Sequence, residues 1–452
     1  MSITQSFLSP EKRRRNKTQG RKWTMPLSLA SNPCINHAKW AKYVAFAEFI
    51  FRKLVYYAAM NPASPVFPQS HHIRRDWQLL SAAVFLFGFG FALYGAVFLN
   101  FITRILGVGA LQMGVLESSR EVPGLLAVGI AAVVAHYAEA RIGALCLCLS
   151  ALGVAATGFV HSFGGLVLVT VFWSIFMHQW FTSSSALPLA LAAGQDSGRH
   201  LGRMGAIGAA ATVLAFISVL IFGERVSYPG YFTTAAMFIF AGGLCLLPMS
   251  QASTSHGRPR LLYRREYRLY YGLTFLEGCR RQIFSTFALF ALVQAYHVTI
   301  RAIAVLMLVN AVASVLVAAP VGRLIDRIGE RQTMTFYYGA IALTFAGYAL
   351  THHLLLMKSL WVADSILFSF GVGINTYLSR IVRPGEMTPS LSMGQTMNHV
   401  AAVVIPVAGG LLWNRFDYHA PFWCGVAAAL VSLYLTQRVV PRTETVALKA
   451  HG

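Results

Sequence analysis

The sequence has few charged residues: Asp, Glu, Lys and Arg make up 12% of its 452 positions, whereas soluble domains carry about 25%. Hydrophobic residues make up 56%, which is more apolar surface than a single soluble core could bury. The ten-residue alternating segments typical of transmembrane β-barrels are also missing. We therefore predict α-helices that cross a membrane, because lipid requires every backbone polar group to be satisfied within the protein.

Signatures of catalysis, nucleotide binding and metal binding are equally scarce. The sequence contains no G-x-x-x-x-G-K-[ST] loop and no H-E-x-x-H, D-D-x-x-D or G-x-S-x-G motif. Its six cysteines are scattered, with neither zinc-ligand spacing nor a disulfide framework. We therefore expect neither an enzyme nor a protein with a metal or another cofactor, and ATP-driven transport is not indicated.

Long apolar segments fill the chain from about Leu79 to Arg438. A bilayer core needs about 20 apolar residues per helix, and about twelve segments have this length. We number them spans 1 to 12, at residues 79–104, 111–135, 142–160, 163–193, 202–223, 230–249, 267–295, 299–320, 332–351, 356–382, 390–414 and 418–438. The predicted fold class is an all-α membrane protein with twelve transmembrane helices.

Positive charge is concentrated on one side of these spans. The net charge is +21, and alternate loops carry most of the basic residues outside the N-terminus. By the positive-inside rule, both termini and the linker 250–266 lie in the cytoplasm, which indicates the inner or plasma membrane. A basic protein can also bind nucleic acid, but the topology already explains this charge. We expect contact with the lipid bilayer and none with nucleic acid.

The linker 250–266 divides the spans into an N-terminal half, 76–249, and a C-terminal half, 267–440, followed by a tail, 441–452. A weak repeat relates the two halves, because Ala135–Arg141 follows span 2 as Gly322–Ile328 follows span 8. In this repeat Glu139 corresponds to Asp326. Internal repeats of this kind are typical of membrane transporters built from two bundles.

The first 75 residues differ from the rest. They contain 13 Lys and Arg and two acidic residues, so we expect a basic, partly disordered cytoplasmic extension. Residues 43–60 could form an amphipathic helix along the membrane interface. An extension without function, read from an upstream start codon, is an equally supported alternative.

The segment Gly322–Arg331 resembles the signature of the major facilitator superfamily, G-x-L-x-D-R-x-G-R/K-R/K. The matching positions are Gly322, Leu324, Asp326, Arg327, Gly329 and Arg331, whereas Glu330 departs at the first closing basic position. The copy after span 2 is degraded, with Ala135 and Ala140 in place of Gly and Arg. The resemblance covers residues 76–440 and implies two pseudo-symmetric six-helix bundles. We expect a functional monomer.

The resemblance also implies that this loop acts as a conformational latch. The residues that would form it are Gly322, Asp326, Arg327, Arg331 and Glu139. A carboxylate near a helix end can pair with Arg or with the positive end of a neighbouring helix. The alternative is a solvated turn whose charges set only the topology.

Charged side chains within spans are costly and usually functional. Span 7 contains Glu277, Arg280 and Arg281, with i, i+3 and i, i+4 spacing. Either arginine is a candidate for binding an anion, and Glu277 is its partner or a proton carrier. The alternative is an internal salt bridge that fixes helix packing.

Span 2 contains Glu117, Arg120 and Glu121 with the same spacing. They could form an external gate or a proton site, or equally an ion pair at the membrane interface. His178 in span 4 could carry a coupling proton because His titrates near neutral pH, although a lone His is more often a hydrogen-bonded structural residue. Weaker polar candidates are Asp364, Asn375, Asn398 and His399.

These features together predict a secondary transporter that works by alternating access around a site between the two halves. Acidic residues and His within the spans favour coupling to protons. The arginine pair in span 7 favours a small anionic or zwitterionic solute. Efflux of drugs or metabolites is the main alternative, and a transporter-like sensor or assembly protein is a less favoured one.

Overall fold

The computed structural model describes residues 71–134, 137–192, 197–249, 262–383 and 385–439. These residues form helices and connecting turns, with no β-strand among them. The predicted extension up to residue 70, including the helix at 43–60, lies outside the described residues, as do linker residues 250–261 and the tail. The predictions for those segments are therefore not addressed by the structure.

Twelve helical passes follow one another in the described part of the chain, which confirms the predicted fold class. Spans 1 to 6 are His71–Arg104, Ala110–Val134, Glu139–Thr157, Phe163–Ala192, Ser197–Phe222 and Tyr228–Leu246. Span 7 comprises Arg268–Ile283, a π-helical turn Phe284–Ala288, and Leu289–Gln294. Spans 8 and 9 form the continuous run Ile300–Leu350. Span 10 comprises Leu354–Leu367, a 3₁₀ turn Phe368–Gly371, and Val372–Ile381. Spans 11 and 12 are Met387–Phe416 and Ala420–Thr436.

Most of these helices are suited to a lipid environment. Eight candidate membrane spans among the described residues are long and apolar enough to cross a bilayer by themselves. Span 2 is not one of them, because it contains three charged residues. Large apolar side chains lie on the outer surface, including Leu168, Leu316 and Leu343, which are 72%, 69% and 76% exposed. A surface of this kind is stable in contact with lipid chains rather than water.

The turn between spans 8 and 9 is tighter than the sequence predicted. We expected a polar loop over Gly322–Arg331, but the helix continues through residue 328 and resumes at residue 330. Gly329 alone departs from helical geometry, with φ +81° and ψ 165°. This positive φ is open to glycine and costly for residues with a Cβ. A single glycine therefore turns the chain, and the family signature lies on the ends of two helices.

Each half packs as a bundle of helices. In the N-terminal half, span 1 packs against spans 5 and 6, span 3 packs against spans 4 and 6, and span 2 packs against span 4. In the C-terminal half, span 7 packs against spans 11 and 12, and the run that forms spans 8 and 9 packs against spans 10 and 12. Helices on each side of the linker therefore pack against one another, as the predicted division into halves requires.

The two halves meet mainly along two helix pairs. Span 2 packs against span 11, and span 5 packs against the run that forms spans 8 and 9. Glycine allows the first pair to approach closely: a Cβ on Gly410 would lie only 2.7 Å from the carbonyl oxygen of Ala110. Small residues at such positions let helix backbones come into contact.

Polar contacts join the halves at one end of the bundle, which we call the Arg104 end. Asn100 donates a hydrogen bond of 2.8 Å to the carbonyl oxygen of Val298, and Arg104 donates one of 3.1 Å to the carbonyl oxygen of His297. Arg301 forms an ion pair of 3.4 Å with Glu224. At the opposite end, which we call the Gly329 end, the ion pair between Glu330 and Arg380 lies within the C-terminal half.

We predict that Gly410→Ala destabilises the protein by about 1–3 kcal/mol, because the new methyl group meets backbone atoms that cannot move aside. Thermal unfolding of the purified protein in detergent measures the change. Gly95→Ala is the matched control, since a Cβ there meets nothing within 4 Å. Unfolding of Gly410→Ala at the wild-type temperature would contradict the close contact between spans 2 and 11.

Candidate functional site

A cavity of about 760 Å³ lies between the two halves. Spans 1, 2 and 4 supply its N-terminal wall, and spans 7 and 11 supply its C-terminal wall. The N-terminal wall includes the aromatic rings of Phe91, Trp173 and Phe181. The C-terminal wall is rich in amides and hydroxyls, including those of Gln282, Ser285, Gln395, Thr396 and Asn398. The N-terminal wall therefore offers stacking surfaces beside its charged groups, and the C-terminal wall offers mainly hydrogen-bonding groups.

Arg281 is the cation on the C-terminal wall of this cavity. Its side chain is exposed, and its guanidinium group lies 5.5 Å from the centre of the Phe368 ring. Within the described residues, Arg281 forms no salt bridge with a carboxylate. A positive charge without a carboxylate partner in a partly enclosed space attracts an anion from solution.

Arg120 on the opposite wall, by contrast, has acidic partners on its own helix. It forms ion pairs with Glu117 at 2.5 Å and with Glu121 at 3.2 Å. Glu117 is buried, at 4% exposure, and stands behind the cavity surface rather than in it. The three charges predicted in span 2 therefore form one ion cluster, of which Arg120 and Glu121 reach the cavity.

Glu121 also faces two histidines. Its Oε2 atom lies 3.8 Å from His178 Nε2 and 3.3 Å from His399 Nδ1. All three residues line the cavity. The structure thus brings together side chains from spans 2, 4 and 11 that are far apart in the sequence.

The other charges predicted in span 7 lie inside the C-terminal half. Arg280 is 1% exposed and pairs with Glu277 at 2.7 Å and with Asp364 at 2.9 Å. Tyr337 donates a hydrogen bond of 2.8 Å to Glu277. Glu277, Arg280 and Asp364 do not line the cavity, so the adjacent arginines of span 7 have different surroundings. Two carboxyl groups here share one guanidinium group.

The remaining sequence candidates lie elsewhere. Asn375 is exposed and is not part of the cavity wall. Glu139 accepts a hydrogen bond of 2.6 Å from Ser183 in span 4. The candidate latch residues Gly322, Asp326, Arg327 and Arg331 lie on either side of the corner at Gly329, where Asp326 and Arg327 are exposed.

Two polar contacts at the Gly329 end had no counterpart in the sequence predictions. Glu330, which departs from the family signature, forms a largely buried ion pair of 2.5 Å with Arg380. Glu386 accepts a hydrogen bond of 2.9 Å from Nε of Arg264 and one of 2.7 Å from the hydroxyl of Tyr267. The hydrogen bond from Arg264 lowers the pKa of Glu386 from its ordinary value. The first contact ties span 9 to span 10, and the second ties the end of the linker and Tyr267 to Glu386 before span 11.

The sequence analysis also did not predict the polar face of span 11, apart from Asn398 and His399. Ser392, Gln395, Thr396 and His399 recur at intervals of three and four residues. This spacing places polar side chains on one helical face. A search of each apolar span for such a polar stripe could have found this wall.

We predict that Arg280→Gln destabilises the protein by roughly 3–5 kcal/mol, because it leaves two buried carboxyl groups without their cation. Arg281→Gln is the matched control on the next residue, and it should unfold near the wild-type temperature because its side chain is exposed. Thermal unfolding in detergent measures both. Equal stability of the two variants would contradict the different surroundings of the two arginines.

Known proteins support this architecture. The family described as Major Facilitator Superfamily matches residues 80–375 and again residues 270–451. The solved structure of the nucleoside transporter NupG is similar to this chain, with 15% identity, a TM-score of 0.67, and coverage of 80% of this chain and 98% of that one. A second similar structure is that of a bacterial homologue of the iron transporter ferroportin in an inward-facing state. It is 15% identical to this chain, with a TM-score of 0.66, and the match covers 82% of this chain and 99% of that one.

A bacterial homologue of the human lysosomal transporter Spinster, in an inward-facing and occupied conformation, has 12% identity and a TM-score of 0.61, and the match covers 82% of this chain and 98% of that one. At such low identity these likenesses show the fold alone. A search of curated proteins found no match. The family match spans well over half of the chain, so this protein is an integral membrane protein that belongs to the Major Facilitator Superfamily of small-solute transporters.

Proposed function

We propose that the protein is a secondary active transporter that carries a small anionic or zwitterionic solute and is coupled to protons. The observation that carries this proposal is the 760 Å³ cavity between the halves, with Arg281 in its wall. Transporters of this architecture bind solutes between two bundles that move against each other. A cavity of this size accommodates a small organic solute.

The charges around the cavity favour an anionic group on the solute. Arg120 is neutralised by two glutamates of its own helix, whereas Arg281 forms no salt bridge among the described residues. Pairing a guanidinium group with a carboxylate or phosphate forms strong, charge-assisted hydrogen bonds. The nearby amides of Gln282, Gln395 and Asn398 supply donors and acceptors for the other polar groups of a zwitterion.

The contacts between the halves support alternating access. Hydrogen bonds from Asn100 and Arg104 join the halves at the Arg104 end. The distribution of positive charge assigns the Gly329 end to the cytoplasm, so we infer an inward-facing state. We also infer that both termini are cytoplasmic and that the protein resides in the inner or plasma membrane.

The Gly329 end supports a role for the family signature as a latch. Glu330 and Arg380 hold the start of span 9 against span 10, so this part of the C-terminal half can move as one body. Asp326, Arg327 and Arg331 are then carried on a rigid corner and can engage the other half when the Gly329 end closes. Glu139 in the N-terminal half lies at the same end of the bundle.

Proton coupling is favoured by the charge balance around Arg280. Glu277 and Asp364 share this one guanidinium group, and each has a buried oxygen with no hydrogen-bond partner. An uncompensated negative charge inside a membrane protein is costly. One proton on this pair makes the network neutral, and its release and uptake provide a coupling step.

The aromatic wall favours efflux of drugs or metabolites as a second candidate function. Phe91, Trp173 and Phe181 offer stacking surfaces for a flat, apolar molecule. Such a solute would use the N-terminal wall and would not require Arg281. The two candidates therefore differ in how much they depend on this arginine.

A screen for ligands that raise the unfolding temperature of the purified protein tests the class of solute. We expect stabilisation by anionic and zwitterionic solutes, and we expect Arg281→Gln to abolish it because the charge partner is lost. Arg415→Gln, which removes an exposed arginine outside the cavity, should behave as wild type. Stabilisation only by cationic or neutral aromatic compounds, unchanged in Arg281→Gln, would favour efflux instead.

Proton coupling is tested in liposomes with a ligand from that screen. We expect an imposed pH gradient to drive uptake by the wild type and not by Glu277→Gln, which should still exchange solute for solute. Folding should be retained, because Arg280 and Asp364 remain as a neutral pair. Glu224→Gln, which removes an exposed acid, is the control. Uptake by Glu277→Gln that still follows the gradient would exclude this network as the coupling site.

A further inference from the structure

We propose that Glu121, His178 and His399 bind a divalent transition-metal ion inside the cavity. The carboxylate oxygen and the two imidazole nitrogens all lie within 4.8 Å of one another. Two imidazoles and one carboxylate form a donor set that proteins use for Zn²⁺ and similar ions. This site goes beyond the proposed function, in which the coupling proton belongs to the separate network around Arg280.

The distances are close to those that such an ion requires. Ligand atoms about 2.0–2.1 Å from a tetrahedral Zn²⁺ lie roughly 3.3 Å apart. The distance between Glu121 Oε2 and His399 Nδ1 is 3.3 Å, and that between Glu121 Oε2 and His178 Nε2 is 3.8 Å. The two imidazole nitrogens lie at most 4.8 Å apart, so the rings must turn toward each other for all three atoms to reach one ion.

The hydrogen bonds of Ser174 determine which nitrogen of His178 carries the proton. The hydroxyl of Ser174 donates its proton to the carbonyl oxygen of Arg120 at 2.6 Å. His178 Nδ1 lies 3.1 Å from this hydroxyl oxygen and 3.0 Å from the carbonyl oxygen of Ser174. Both neighbours are acceptors, so Nδ1 carries the proton. Metal-binding histidines are typically oriented in this way, by donating their second nitrogen to an oxygen.

When its ring is neutral, His178 therefore presents the lone pair of its other nitrogen to Glu121. In the neutral imidazole, Nε2 faces a carboxylate oxygen that is also an acceptor. Two acceptors directed at each other repel unless a proton or a metal ion lies between them. Arg120 occupies the other oxygen of Glu121, Oε1, at 3.2 Å. Oε2 is thus left to the ion and the two histidines.

Gly124 leaves the space that the two rings occupy. A Cβ at this position would lie 2.6 Å from His178 Nε2 and 2.6 Å from His399 Cε1. Any larger residue would push apart the rings that converge on Glu121. The absence of a side chain at this position is a second, independent feature that the proposed site requires.

The ion would also connect the two halves. Glu121 and His178 belong to the N-terminal half, whereas His399 belongs to the C-terminal half. Three protein ligands leave at least one coordination position open to the cavity. An anionic solute has the chemistry to fill this position, so the ion and Arg281 could act on the same solute.

Binding of Co²⁺ to the purified full-length protein tests the proposal, because its visible absorption reports the coordination geometry. We expect saturation of one site that Zn²⁺ displaces and Mg²⁺ does not. Glu121→Gln, His178→Gln and His399→Gln should each bind Co²⁺ at least about tenfold more weakly. Gly124→Ala and Ser174→Ala should also weaken binding, since changes around ligands typically cost about 10–100-fold. His161→Gln, which removes an exposed histidine in a loop, should bind as wild type.

A variant that gains a signal separates loss of the site from loss of folding. His399→Cys keeps a metal ligand, and its thiolate should add a sulfur-to-cobalt charge-transfer band that the wild type lacks. The proposal is overturned if the wild type shows no saturable Co²⁺ site, or if the Gln variants bind as tightly as wild type. Arg281→Gln should bind Co²⁺ normally, so failure of the metal site leaves the solute proposal intact.

Discussion

The structure depends on the neutralisation of charges that lie within membrane spans. A charge in lipid is costly, so its partner must come from the same helix or from a neighbour across the bundle. Arg280 has partners in span 7 and span 10, and Arg120 has two on its own helix. Of these pairs, the one between Arg280 and Asp364 joins two helices, and it fixes span 7 against span 10. Arg281, on the surface between the halves, forms no such pair among the described residues.

This division is what the proposed alternating access requires, with rigid halves that move against each other. Inside the C-terminal half, the network around Arg280 locks spans 7 and 10 together, and Tyr337 adds a hydrogen bond from span 9. Between the halves, the described contacts include helix packing at glycines, hydrogen bonds and an exposed ion pair at the Arg104 end, and the contact between Glu121 and His399 in the cavity. Contacts of the second kind cost less to break, so movement should occur at the interface and not within the bundles.

The interruptions of spans 7 and 10 lie close to the same network. The π-helical turn Phe284–Ala288 follows Arg281, and the 3₁₀ turn Phe368–Gly371 follows Asp364. Such departures from α-helical geometry are frequent at functional sites because they redirect side chains. Here the π-helical turn brings Ser285 to the cavity wall. The sequence predicted both spans as uninterrupted helices, because hydropathy does not distinguish a π or 3₁₀ turn from an α-helix.

The sequence by itself determined the helices and the family, because lipid imposes a length and an apolarity that can be read residue by residue. It also identified most of the ionisable residues in the spans. Only the tertiary structure decided their surroundings: Arg280 is enclosed and Arg281 faces the cavity, although they are adjacent in the chain. It likewise brought Glu121, His178 and His399 together from three spans. Spacing along one helix defines a face, but the neighbours of that face are set by how the bundles pack.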